Sequence, residues 1–189
     1  MEKKLHQAPT DCLRIVLYGP ESTGKSTLAK ALAEYYNTQW VPEFARDFLQ
    51  EKWDREKAVC TLDDLLTIAR GQLELENDLI STSQRFIFCD TNILVTKAWS
   101  ETHFDGYCAP ELQHWVEKFH YDHYFLTNVD VPWEADDLRD RPDQRGVQFD
   151  HFKGLLDQLR ASYTLLKGKH PQRMKQAISI LESLQTNKS

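Results

Sequence analysis

The residues whose types and spacing most clearly suggest chemistry lie between positions 19 and 27, in the stretch GPESTGKST. Their spacing matches Gly-x-x-x-x-Gly-Lys-Ser/Thr, the pattern of a P-loop. Glycines let the backbone wrap tightly and turn its N–H groups inward, and the following helix adds positive charge from its N-terminus. The stretch therefore predicts binding of nucleotide phosphates by Gly19, Pro20, Glu21, Ser22, Thr23, Gly24, Lys25, Ser26 and Thr27.

Two oxygen-bearing side chains predict a magnesium ion beside those phosphates. In a P-loop the lysine, here Lys25, reaches the β- and γ-phosphates, and the next hydroxyl, here Ser26, binds Mg²⁺. Asp90 ends the apolar run RFIFCD, and P-loop enzymes need an acid at such a strand end to hold the metal. Alternatively, Asp90 caps the helix that follows. We expect ATP and Mg²⁺ as cofactors, with Lys25 and Asp90 as catalytic residues.

A second group of charged residues follows the second predicted strand, in VPEFARDF. If this segment is helical from its start, Glu43 and Asp47 share one face, with Arg46 beside them. Carboxylates there can bind the hydroxyls of a sugar or take the proton of an attacking hydroxyl. Acids at a helix N-terminus also stabilise the helix without any role in function. We expect Glu43, Arg46 and Asp47 to bind the substrate and leave open whether Glu43 or Asp90 is the general base.

The polar segment from 128 to 146 is predicted to be a lid. It carries Arg139, Arg141 and Arg145, and arginines on a flap can close over phosphates and neutralise the charge of the transferred group. We interpret Arg139 and Arg141 as catalytic and Arg145 as nucleotide-binding, with Trp133 as a candidate for stacking on a base. The alternative is a solvated loop with local Asp–Arg pairs, because DDLRDRPDQR is also rich in aspartate.

The elements that must position these residues alternate between short apolar runs and longer amphipathic ones. Such alternation predicts an α/β fold of three layers, with a parallel sheet covered by helices on both faces. At 189 residues the chain is expected to form a single domain, 1–189, with the lid 128–146 as an insertion. Strands are predicted at 13–18, 38–42, 85–90, 123–128 and 163–168, and helices at 25–37, 43–53, 61–82, 92–101, 110–119, 148–163 and 171–184.

The composition indicates which kinds of molecule the protein is expected to bind. The net charge of −6 argues against nonspecific nucleic-acid binding, because the phosphate backbone would be repelled. The four cysteines form no C-x-x-C pair, and no segment has the length or apolar character of a signal peptide or a membrane span. We therefore expect a cytoplasmic protein that binds a small-molecule substrate, neither nucleic acid nor membrane. The sequence gives no indication of the oligomeric state.

Four blocks together resemble the ribosylnicotinamide kinase domain of the bacterial NadR proteins: GPESTGKSTL, NTQWVPEFARDFL, FIFCDTNILVTKAWSE and VPWEADDLRD. The resemblance covers positions 13 to 185, and its blocks after the P-loop are the more specific ones. It implies a five-stranded P-loop NTPase fold with strand order 2-3-1-4-5 and a lid. It also implies ATP-dependent phosphorylation of the 5′-hydroxyl of nicotinamide riboside, giving nicotinamide mononucleotide. By position, the substrate block contains Glu43 and Arg46, the D-T-[DN] block contains Asp90 and Asn92, and the lid block contains Arg139.

The chain departs from this family pattern at two positions. Members carry a tryptophan just before the glutamate, suited to stacking on nicotinamide, whereas this chain has Pro42 there and Trp40 two residues upstream. The second acid of D-T-D is Asn92 here, which is the candidate substrate contact at that position. These departures leave two alternatives open: a (deoxy)nucleoside or nucleotide kinase, and a regulatory ATPase that binds a nucleotide without a small acceptor.

Overall fold

The five apolar runs form the strands of one sheet in the computed structural model, which describes residues 5–136, 138–139 and 141–186. Parallel strands that are buried on both faces read as continuous apolar sequence, and the central three are buried along their whole length. The second strand is the shortest, because Pro42 follows it directly. The strands are β1 Leu13–Tyr18, β2 Trp40–Val41, β3 Phe86–Asp90, β4 His123–Thr127 and β5 Tyr163–Leu166.

Helices connect the strands, and the local sequence explains where several of them begin and end. Asp64 accepts hydrogen bonds from the backbone N–H and hydroxyl of Thr61 at 2.7 and 2.8 Å, so a capping box marks the start of the third helix. The sixth helix stops before the predicted position 163, because Arg160 is left-handed with φ of 50°. No helix of the described ranges combines the length and apolar character that crossing a bilayer requires. The helices are α1 Lys25–Tyr36, α2 Phe44–Glu56, α3 Leu62–Ile80, α4 Ile93–His103, α5 Pro110–Lys118, α6 Arg145–Gln158 and α7 His170–Thr186.

All neighbouring strands run parallel, in the order β2-β3-β1-β4-β5. This confirms the predicted parallel sheet and the strand order that the family resemblance implies. The register places Leu17 opposite both Asp90 and Phe125. The carboxyl ends of β1, β3 and β4 therefore lie side by side, at the edge where open α/β sheets bind their ligands.

Alternate residues of the strands enter two separate cores, one on each face of the sheet. On one face Val16 and Tyr18 of β1 pack with residues from α3 to α6. On the other face Ile15 and Leu17 pack with residues of α1 and α7. Successive side chains of a strand point to opposite faces, so the sheet is the middle layer of three, as predicted.

A buried ion pair fastens β1 to α3. The guanidinium Nε of Arg14 lies 2.7 Å from Oε1 of Glu76, with both side chains buried. The hydroxyl of Tyr121 donates a hydrogen bond to Oε2 of Glu76 at 3.0 Å. Because a buried carboxylate needs such partners to offset its lost hydration, α3 is held at one position against the sheet.

Replacement of Glu76 tests whether the buried ion pair stabilises the packing of α3 on β1. We expect Glu76→Ala to lower the free energy of unfolding by about 3–5 kcal/mol, because it leaves the Arg14 guanidinium buried without its counter-ion. Glu74→Ala, at an exposed position of the same helix, serves as the control and should change it by less than about 0.5 kcal/mol. Urea denaturation followed by circular dichroism measures both. Equal stabilities for the two variants would contradict the assignment.

Candidate active site

The predicted strand–loop–helix context of the P-loop is present, and its backbone needs glycine at both ends. Gly19 follows β1 with φ of 141°, and Gly24 precedes α1 with φ of 81°. A Cβ atom on Gly19 would lie 2.7 Å from Oγ1 of Thr127 and 3.0 Å from its carbonyl oxygen. Ser22 at the tip is also left-handed, with φ of 53°. The loop is thus wrapped tightly against the end of β4.

Two threonine hydroxyls stabilise the wrapped loop from below. Thr23 donates from its hydroxyl to the carbonyl of Pro20 at 2.9 Å. The same hydroxyl oxygen lies 2.6 Å from that of Thr127, and both side chains are buried. Thr127 also donates to the carbonyl of Tyr18 at 3.2 Å, so the two hydroxyls form a buried network in which each has a second partner. The sheet therefore fixes the loop through β4 as well as through β1.

The Lys25 side chain folds back over the loop. Its ammonium donates to the carbonyl of Pro20 at 2.7 Å. Burial lowers the pKa of Lys25, although the negative charges of Glu43 and Asp90 act in the opposite direction. The lysine is therefore a desolvated cation surrounded by carboxylates, close to where phosphate oxygens would lie.

The Asp90 carboxylate fits a magnesium ligand. It is 2% exposed, and its Oδ1 has no hydrogen-bond partner within the described part of the chain. Burial raises the pKa of Asp90, against the effects of a hydrogen bond from Ser26 and the charge of Lys25. A hydroxyl and a carboxylate are hard oxygen ligands, and Mg²⁺ commonly completes its shell with phosphates and water. Asp90 does not cap α4; the cap is Asn92, which accepts from the N–H of Leu94 at 3.1 Å.

The start of α2 brings Glu43 and Arg46 to the site but not Asp47. Glu43 is the N-cap residue with extended backbone angles, and the helix begins only at Phe44. The i, i+4 relation between Glu43 and Asp47 therefore does not hold, and Asp47 is exposed. Burial and the negative charge of Asp90 raise the pKa of Glu43, while Lys25 lowers it.

Two cavities open beside the P-loop and meet in front of it. The P-loop cavity has a volume of about 330 Å³ and is lined by residues 21–27 with Arg139 and Arg173. The apolar cavity has a volume of about 80 Å³ and is lined by side chains of α2, α3, α4 and α6. Both are lined by the same four charged residues, namely Glu21, Lys25, Glu43 and Arg46. The two cavities are therefore neighbours that share these residues as a common wall.

The apolar cavity has one large aromatic surface. Trp99 lines it, and its indole stacks on the His103 ring with centroids 3.8 Å apart and planes 7° from parallel. Trp40 does not replace the tryptophan that is missing at Pro42, because Trp40 packs in the core on the other face of the sheet. The remaining apolar wall consists of Leu49, Leu65, Ile68, Val95 and Phe152.

Two further predicted substrate contacts line neither cavity. Asn92 is 1% exposed, and its amide nitrogen donates to the hydroxyl of Tyr124 at 3.1 Å while its oxygen caps α4. Trp133 lies under the guanidinium of Arg145, 5.7 Å from ring centroid to Cζ. The structure thus gives Asn92 and Trp133 partners within the protein and does not bring them to the four shared residues.

The three arginines of segment 128–146 reach three different places. Arg139 lines the P-loop cavity, and its Nε lies 3.1 Å from Asp136, which also pairs with Arg46 at 2.9 Å. Arg145 donates to the carbonyl of Ser22 at 2.9 Å, so that it supports the tip of the P-loop. Arg141 donates to the carbonyl of Thr102 in α4 at 2.8 Å and lines neither cavity.

Sequence reasoning missed Trp99 in the apolar cavity and three residues around the P-loop. Thr127 and Asp136 had weak signals, because one ends a strand and the other lies within the block WEADDLR. Arg173 had none, because it occupies an ordinary amphipathic helix far from any motif. In the structure Arg173 is 3% exposed and lines the P-loop cavity from α7.

Comparison with known proteins agrees with this architecture. A family model described as the AAA domain matches residues 14–173. The trifunctional NAD biosynthesis/regulator protein NadR of Escherichia coli strain K12 is 28% identical over 125 residues. That match covers 66% of this chain and 30% of NadR, so the chain spans less than a third of the relative's length. The resemblance seen in the sequence is thereby confirmed.

Solved structures share the fold. NadR in complex with NR has a TM-score of 0.73 at 18% identity, covering 91% of this chain and 49% of that one. Thymidylate kinase from Candida albicans has a TM-score of 0.70 at 16% identity, covering 94% of each chain. Both likenesses confirm the P-loop α/β fold.

Substitution of Gly19 tests the packing of the loop on Thr127. We expect Gly19→Ala to destabilise the protein by at least about 1–3 kcal/mol, because alanine is strained at this φ and its methyl group meets the Thr127 hydroxyl. Gly154→Ala is the matched control, since nothing lies within 4 Å of that position in α6. It should be neutral or stabilising by about 0.5–1 kcal/mol. Thermal and urea unfolding compare the two; a neutral Gly19→Ala would refute the tight packing.

Proposed function

The chain belongs to the family described as the AAA domain, and from this membership and the site geometry we propose that it is an ATP-dependent kinase acting on a nucleoside, with the 5′-hydroxyl of nicotinamide riboside as acceptor. The observation that carries the proposal is the meeting of the two cavities at Glu21, Lys25, Glu43 and Arg46. Phosphoryl transfer requires a donor phosphate and an acceptor hydroxyl in contact and in line. The similarity to the structure of NadR in complex with NR supports the same reaction class.

The P-loop cavity would hold the triphosphate. Backbone N–H groups of the loop bind the phosphates, and Lys25 exchanges the Pro20 carbonyl for a phosphate oxygen. Arg139, held in the cavity by Asp136, would neutralise charge on the transferred group. Ser26 and Asp90 would hold Mg²⁺, which when bound neutralises the charge between the β- and γ-phosphates. We also propose that 1–189 acts as one domain and that 128–146 is its lid.

Placement favours Glu43 over Asp90 as the group that takes the acceptor's proton. Glu43 lines both cavities, whereas Asp90 lines neither and lies beside Ser26. A proton acceptor must lie within hydrogen-bonding reach of the attacking hydroxyl. The raised pKa of Glu43 also makes it a stronger base than a solvated glutamate. We therefore assign the base to Glu43 and the metal ligand to Asp90.

The apolar cavity would hold the ring of the acceptor. Leu65, Ile68 and Val95 offer flat apolar contact, and Trp99 offers an indole surface. The nicotinamide ring of the riboside carries a positive charge, and a cation is stabilised over an aromatic face. Trp99 would thus supply the contact that family members obtain from the tryptophan at the position of Pro42.

A panel of acceptors tests the proposal. We expect ADP release to require a nucleoside, with nicotinamide riboside the best, and nucleoside 5′-monophosphates to be poor acceptors. Glu21 and Glu43 would repel a second phosphate, and the cation Arg46 is already paired with Asp136. A coupled ADP-release assay compares each nucleoside with its own 5′-monophosphate, with Lys25→Ala as the inactive control.

Three outcomes would contradict the proposal, two of them in whole and one in part. ADP release that does not depend on an acceptor would indicate a regulatory ATPase. Faster turnover of a 5′-monophosphate than of its nucleoside would indicate a nucleotide kinase. Preference for another nucleoside over nicotinamide riboside would keep the nucleoside-kinase reaction and overturn the acceptor assignment.

The role of the lid arginine has a separate test. We expect Arg139→Ala to lower kcat on the order of 10³-fold or more, as loss of an arginine that stabilises the transferring phosphoryl group does. Arg55→Ala, at a position whose side chain is 73% exposed, should stay within about twofold. Arg141→Ala should lose less activity than Arg139→Ala, because Arg141 donates to Thr102. Steady-state kinetics measures kcat for each variant. A kcat of Arg139→Ala within a few-fold of the wild-type value would contradict the assignment.

A further inference from the structure

Arg173 is a buried cation in the second turn of α7 that joins segments from three strand ends. Its Nη1 donates to the carbonyl of Thr23 in the P-loop. Its Nη2 donates to the carbonyl of Asn128 at 2.9 Å and to Oδ1 of Asp130 at 2.5 Å. The side chain is 3% exposed, and these protein groups replace the water that Nη1 and Nη2 would otherwise bind.

The contact with Thr23 determines how the next peptide unit is oriented. The chain has no cis peptide bond within its described residues, and in a trans peptide the C=O and N–H groups point in opposite directions. Because the Thr23 carbonyl points at Arg173, the N–H of Gly24 points away from it. A Cβ atom on Gly24 would already lie 3.7 Å from Nη1 of Arg173, so the guanidinium lies close against this peptide.

Asp130 extends the connection to a third loop. Its second carboxylate oxygen accepts the backbone N–H of Gly168 at 2.7 Å, in the turn between β5 and α7. The Arg173–Asp130 pair therefore links the P-loop to the start of segment 128–146 and to the loop after β5. The planar guanidinium of Arg173 carries several N–H donors and can make these contacts at once. A lysine ammonium cannot reproduce this planar arrangement of donors.

We propose that Arg173 is a positioning residue that fixes the Thr23–Gly24 peptide with its N–H toward the phosphate, and that Asp130 holds Arg173 in place for this task. The inference rests on the proposed binding of ATP at the P-loop. Arg173 acts through the backbone, so its effect falls on ligands that carry phosphate. A merely structural role would instead weaken the binding of phosphate and acceptor alike.

Binding measurements on Arg173→Lys test the proposal. We expect the affinity for AMP-PNP with Mg²⁺, and for pyrophosphate, to fall at least tenfold, while the KM for the acceptor nucleoside stays within about twofold. Arg160→Lys, at an exposed arginine, is the matched control and should change neither. Isothermal titration calorimetry gives the affinities, and the urea midpoint reports whether each variant keeps its fold.

Asp130 provides a second variant should Arg173→Lys fail to fold. Its side chain is 31% exposed, so Asp130→Asn should fold and weaken AMP-PNP binding in the same direction by a smaller factor. In the double variant the two losses should be less than additive, because both residues act on one peptide. Full additivity would overturn the role of Asp130.

The outcomes separate this inference from the proposed function. Arg173→Lys binding AMP-PNP like wild type would overturn the inference alone. Equal weakening of AMP-PNP and acceptor would also overturn it, in favour of a structural role. A wild-type protein that binds neither AMP-PNP nor pyrophosphate would overturn the proposed function, and this inference with it.

Discussion

The parallel pairing of β1 with its neighbours β3 and β4 is the constraint on which the whole site depends. Because these strands run in one direction and in fixed register, with Leu17 opposite Asp90 and Phe125, their ends deliver the P-loop, an acid and Thr127 to one place. The two cores on either face keep the sheet in position. Hydrogen bonds from Thr127 and Arg173 then stabilise a loop that is too irregular to hold its own shape.

Charge is balanced at the meeting point of the cavities. Glu43 and Asp90 lie close enough for the charge of Asp90 to raise the pKa of Glu43, and Lys25, Arg46 and Arg139 oppose that effect. Carboxylates packed this closely in a partly buried site repel each other unless cations lie between them. Lys25, Arg46 and Arg139 supply such cations beside Glu43.

The sequence predicted those parts of the site that follow from local pattern. Gly19, Gly24 and Lys25 belong to a motif with a mechanism, and Asp90 lies at the end of an apolar run, so their positions follow from the fold. Asp47 was misplaced because the helix was assumed to include Glu43, which is instead extended. The sequence could not show which arginine of 128–146 reaches the P-loop cavity, because a charged loop has no periodicity from which the direction of each side chain can be read. The position of Arg173 depends on the packing of α7 against the P-loop. Arg173 and its partner Thr23 lie 150 residues apart in the sequence, so no local pattern indicates this contact.

The Lys25–Pro20 contact has a consequence for turnover. The Lys25 ammonium has the Pro20 carbonyl as an acceptor, so a phosphate that takes the place of this carbonyl replaces one hydrogen bond with another and gains only the difference between them. The free energy needed to release the product is lowered by the same amount, because the Lys25 ammonium returns to the Pro20 carbonyl as the phosphate leaves. A loop that offers the lysine a carbonyl acceptor of its own therefore has a lower affinity for phosphate and releases it more readily.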